Sequence, residues 1–100
     1  MTANPARGEA SLLVGGRPIL LRPSFAALVA AEAELGPLFA LVERAADGRL
    51  TLAEMAVLFA HCAGQGATRE QIGEAIAEQG IAKVTPTLKL LLTQILQGRV

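Results

Sequence analysis

The sequence predicts an α+β domain, mostly α, in which an N-terminal β-hairpin packs on a bundle of four to five short helices. Three observations carry this expectation. Two short apolar runs, EASLLV and RPILLR, flank the pair Gly15-Gly16, which is a tight-hairpin pattern. Beyond Pro23 the apolar residues recur at three- and four-residue spacing, punctuated by glycines and by two capping boxes. The apolar content is mostly Ala, Leu, Val and Ile, with three Phe and neither Tyr nor Trp, a composition that favours helices.

Each element follows from local chemistry. Residues 1–8 (MTANPARG) are expected to form a mobile arm ahead of a single domain over 9–100. Pro18 lacks an N–H, which suits an edge position or the start of the second strand. Ser24 is the expected N-cap of the first helix, whose apolar stripe reads Phe25, Leu28, Val29 and Leu35 before Gly36-Pro37 stops it. The second helix runs from Leu38 to Ala46 with Leu38, Leu41, Val42 and Ala45 on one face. Thr51 and Glu54 form a capping box for a third helix, Leu52–Ala63, which is apolar nearly all round and so reads as the central buried one. Thr68 and Gln71 start a fourth helix carrying Ile72, Ala75 and Ile76 and ending at Gly80. Gly73 inside it reads as a site of close backbone approach. Thr85-Pro86 places proline at the first helical position of a last helix with Leu88, Leu91, Leu92, Ile95 and Leu96.

Charge and composition exclude several functions. Nine basic and nine acidic residues give a formal net charge of zero, and no basic patch is interleaved with aromatics, so nucleic acid is not an expected partner. A single cysteine excludes an internal disulfide. The first ten residues lack the apolar core of a signal peptide, and no run reaches the ~18 apolar residues of a membrane span. A cytoplasmic location is expected, with no membrane partner. Mean hydropathy is positive at +0.45, which points to apolar surface that a protein partner covers.

The stretch Glu43–Glu54, ERAADGRLTLAE, has the outline of an EF-hand calcium loop, with Gly48 at the sharp turn and Leu50 at the apolar position. Glu43, Asp47 and Glu54 would be the ligands, but Ala45 stands where a further oxygen is needed. A helix stop at Asp47-Gly48 followed by the Thr51/Glu54 capping box uses the same letters without a metal. His61 and Cys62, the only His and the only Cys, sit side by side. Adjacent helical residues point about 100° apart, which suits neither a zinc site nor a nucleophile and its base. Cys62 reads as a small core residue and His61 as a boundary residue. No glycine run forms a phosphate loop, so neither catalytic residues nor a cofactor are expected. The last helix is apolar over more than half its turn, and Leu88, Leu91, Leu92, Ile95 and Leu96 are the candidate interaction residues. The hairpin edge is a candidate for strand addition.

Three stretches carry a family resemblance. Asn4-Pro5-Ala6-Arg7-Gly8-Glu9, Leu21-Arg22-Pro23-Ser24-Phe25-Ala26-Ala27-Leu28 and Glu32-Ala33-Glu34-Leu35-Gly36 resemble the small gene transfer agent family proteins. These are encoded in tail-gene clusters of phage-like particles of alphaproteobacteria. The family is labelled tail tube protein in some descriptions, and in size and gene position it is similar to the tail assembly chaperones of long-tailed phages. The resemblance covers residues 3–66. It implies a non-enzymatic protein of phage-like tail morphogenesis, either an assembly chaperone or a minor tail component. The implied partners are other tail proteins, tail tube or tape measure, with a homo-oligomer as a further expectation. The implied location is the bacterial cytoplasm, or a phage-like particle after assembly. Two alternatives from other classes stand beside it: a calcium-responsive module using Glu43, Asp47 and Glu54, and a small enzyme using Cys62 and His61.

Overall fold

Gly15 and Gly16 both adopt positive φ, 58° and 81°, and form the two-residue turn between β1 (Ala10–Val14) and β2 (Arg17–Leu21). The strands pair antiparallel from Val14↔Arg17 to Ala10↔Leu21. Their alternation is clean: Ala10, Leu12, Val14, Ile19 and Leu21 are buried, while Ser11 and Leu13 are exposed. Five helices follow: α1 (Phe25–Leu35), α2 (Leu38–Ala46), α3 (Leu52–Ala63), α4 (Arg69–Gln79) and α5 (Ile81–Gln97). The computed structural model describes residues 9–98, so the expected arm at 1–8 lies outside the described residues. The α+β, mostly α architecture is the predicted one.

The helix α3 is central. Its Met55, Leu58, Phe59 and Cys62 are buried, and β2, α1 and α4 pack around it. One hydrophobic cluster draws buried residues from all seven elements. The capping expectations hold: Ser24 Oγ accepts from Ala27 N at 3.2 Å, and Thr51/Glu54 and Thr68/Gln71 form reciprocal boxes.

Three details differ from the sequence reading. On α1 the buried residues are Ala27 and Ala31, with Leu28 and Leu35 partly buried, whereas Phe25 and Val29 face outward at 85% and 47% exposure. Small residues win the inner face because α1 lies close against α3, and a phenylalanine there would force the helices apart. The last helix starts at Ile81, with Pro86 inside it. Gly80, at φ 90°, both ends α4 and starts α5, leaving no loop. The turn before Pro86 is needed to bury Val84, which is 1% exposed. Pro86 itself faces solvent, and Thr85 Oγ1 donates to the Ile81 carbonyl at 2.8 Å in the turn that the proline weakens. Finally, Gly73 is not a close-approach site. A Cβ there would meet the Ala56 Cβ at 3.8 Å, an ordinary contact.

Candidate functional site

The outward face of α1 is built from the strand–helix junction. Arg22 N donates to the Cys62 carbonyl at 2.8 Å, and Ser24 N donates to the Arg22 carbonyl at 2.8 Å. Arg22 Nε reaches the buried Glu9 carboxylate at 3.0 Å. The junction is thereby pinned to the end of α3, and Phe25 projects from it as the first residue of α1. Val29 and Ala33, both exposed, follow at four-residue spacing.

The two carboxylates of α1 are turned to its flanks. Glu32 Oε2 accepts from Leu38 N at 3.0 Å. It supplies the cap that Pro37 cannot, since Pro37 offers no side-chain acceptor to α2. Glu34 accepts from Arg69 at 2.7 Å and pairs with His61, tying α1 to α4 and α3. The Arg69 and His61 bonds hold the Glu34 carboxyl below its ordinary value. The line Phe25–Val29–Ala33 is therefore free of charge. On α2, Phe39 is also uncovered, at 69% exposure. Sequence reasoning placed Phe25 inside; the missed signal is the Ala27/Ala31 pair, which offers a second, smaller stripe at the same spacing.

The candidate residues of α5 divide. Leu91 is fully buried, and Leu88, Leu92 and Ile95 are partly buried against the core. Leu96 is exposed at 55%, as is Leu90, six residues earlier on the same helix, at 43%. The outward carbonyls of the β1 edge are covered. With a two-residue turn, Ser11 and Leu13 direct their carbonyls outward. Gln79 Nε2 donates to the Leu13 carbonyl at 2.7 Å, and Thr87 Oγ1 to the Ser11 carbonyl at 3.3 Å. On the other edge Pro18 has no donor to offer. Strand addition at β1 would have to displace α4 and α5 side chains.

The remaining candidates are engaged otherwise. Glu54 accepts from Thr51 N at 3.0 Å and pairs with Arg44, and these contacts hold its carboxyl below the ordinary value. Asp47 caps the end of α2, and Glu43 is exposed. Among the described residues no group of three or more His, Cys, Asp or Glu side chains is placed to hold a metal ion. Cys62 is 5% exposed, and burial pushes its thiol from about 9.0 up to about 12, so it stays protonated at neutral pH. Its neighbour His61 faces Glu34. A shallow groove between the hairpin turn and α4 is lined by Glu70, Glu74 and Glu78 at four-residue spacing, with Arg17 across from them, a solvated polar face. No single helix among the described residues is long and apolar enough to cross a membrane.

Comparison with curated proteins and with solved structures found no match. Comparison with family models found one that covers residues 7–98 and is described as phage tail tube protein, GTA-gp10. The match runs through α4 and α5, well beyond Gly66, where the motif resemblance stops. With nearly the whole described fold inside the match, the chain belongs to this gene transfer agent and phage tail family.

Proposed function

We propose that the chain works without catalysis, as a tail assembly chaperone that binds other proteins of a phage-like tail, such as tail tube or tape measure proteins. The observation that carries this is the pair of uncovered phenylalanines, Phe25 at 85% and Phe39 at 69% exposure, on a fold that buries one continuous core. Two large aromatic side chains left in water by a folded domain mark contact surface. The family gives the class of partner. A transient role is favoured over a permanent tail component by the covered carbonyls of the β1 edge. Where that edge is not used for pairing, contact rests on small apolar patches, which suit reversible binding. Leu90 and Leu96 on α5 extend the uncovered set, and Leu88, Leu92 and Ile95 lie partly open beside them.

The test is deletion and rescue in a host that makes the particles, with tails counted by electron microscopy and the chain quantified in purified particles by mass spectrometry. The expected outcome is loss of tails on deletion, rescue by the native chain, no rescue by Phe39→Glu, and no stoichiometric chain in finished particles. Normal tail yield without the chain would overturn the reading. A fixed copy number in finished particles would replace the chaperone with a minor tail component.

A further inference from the structure

We propose that the outer face of α1 is the contact between two copies of this chain, an antiparallel helix pair about a two-fold axis. The face is the ridge Phe25, Val29, Ala33, with Ala26 beside it, all exposed. The ridge falls in size from Phe through Val to Ala at equal steps. Antiparallel pairing centred on Val29 sets Phe25 of each copy over Ala33 of the other, and Val29 against Val29. A two-fold contact requires a patch that fits its own rotated image. A ridge with its largest residue at one end and its smallest at the other meets that requirement, because each large end finds a small one.

Charge agrees with this occupant. Residues near a two-fold axis meet their own copies, so a charged residue there would meet like charge. The ridge carries none, and Glu32 and Glu34 bond to Leu38, Arg69 and His61 of their own chain. The area sets the strength. A phenylalanine contributes at most about 200 Å², so with Val29 and the alanines the face offers roughly 300–400 Å² per copy. A standard stable interface buries about 800 Å² per partner. The pair is therefore weak and reversible. Because the pair is weak, Phe25 is shared between a second copy and tail proteins, whereas Phe39, Leu90 and Leu96 stay open throughout, so the pair goes beyond the function proposed above.

Sedimentation equilibrium with interference optics on the full chain, from micromolar to near-millimolar, tests this. The expected result is a mass rising from 10.4 kDa toward twice that value. Phe25→Glu shifts the midpoint at least tenfold to higher concentration. Ala33→Phe does the same, because it sets Phe against Phe. The double variant Phe25→Ala/Ala33→Phe restores association, since it exchanges the large and small ends of the ridge. Both positions are exposed, and thermal melts by far-UV circular dichroism check that each variant stays folded. A native chain that is monomeric throughout, association untouched by Phe25→Glu, or a double variant that fails to restore it would each overturn the two-fold pair.

Discussion

Helices α1 and α3 are both apolar around most of their circumference, yet they meet different fates. The chain buries Met55, Ala56, Leu58, Phe59 and Cys62 of α3, but only Ala27 and Ala31 of α1. Position makes the difference. Around α3 lie β2, α1 and α4, whereas α1 rests on α3 and α2 from one side. All-round apolarity thus marks a helix that needs cover on every side. Whether its own chain supplies that cover is a matter of topology. What α3 finds on every side, α1 finds within the domain on one side only.

The sharpest way to break this contrast is to truncate the same residue type on both helices. Phe59→Ala should cost about 3–5 kcal/mol, much of the stability of a domain this size, because Phe59 is fully buried. Phe25→Ala should stay within about 0.5 kcal/mol. Urea titrations followed by far-UV circular dichroism compare them directly, and equal costs would erase the distinction. The two faces of α1 can be set against each other in the same assay. Ala31→Leu overpacks a position with no exposure and should cost about 1–3 kcal/mol, whereas Ala33→Leu on the exposed face should be near neutral.

On the α3 side, Gly73→Ala should stabilise by about 0.5–1 kcal/mol, since the new Cβ meets only Ala56 at ordinary distance and a helix gains from alanine. A loss of stability would mean that α4 packs on α3 more tightly than 3.8 Å implies. The smallest effect is acid dependence. Glu34, which ties α1 to its neighbours, and Glu54, which caps α3, both have lowered pKa values relative to 4.5. Their contribution is present above pH 4.5 and lost as the pH falls through the lowered folded values. Glu54→Gln keeps the capping geometry and should flatten this acid limb, as should Glu34→Gln. Both sites are solvent-screened, so the change is small, and melts at stepped pH between 5 and 3 would show it.

Much of the fold was legible because its signals are local. Gly15-Gly16, Ser24, Thr51/Glu54, Thr68/Gln71 and the glycines after each helix speak through backbone chemistry within a few residues. The fold class and nearly every helix boundary follow from them. What stayed hidden depends on partners distant in sequence. Periodicity finds an apolar stripe on α1, but it does not say that Ala27 and Ala31 outcompete Phe25 and Val29 for the inner face. That outcome needs the separation of α1 from α3. The start of α5 was hidden because a proline inside a helix is locally unfavourable, and only burial of Val84 repays it. The sequence offers Leu88, Leu91, Leu92, Ile95 and Leu96 of α5 as candidate interaction residues, but it does not sort the buried from the open ones. In the fold Leu91 is core, and the most exposed aromatic lies at the other end of the chain.

The side chains that close the β1 edge arrive late. Gln79 lies 66 residues beyond the Leu13 carbonyl it covers, and Thr87 lies 76 residues beyond that of Ser11. At about 5–20 residues per second of synthesis, that gap lasts roughly 3–15 s. The hairpin itself closes in microseconds. A lone hairpin is marginal in water, so until α4 and α5 are made any hairpin that forms has an uncovered β1 edge. In crowded translation, with neighbouring copies emerging from the same message, that interval is when mispairing between chains is easiest. A ribosome stalled before α4 would hold the edge open for as long as the stall lasts.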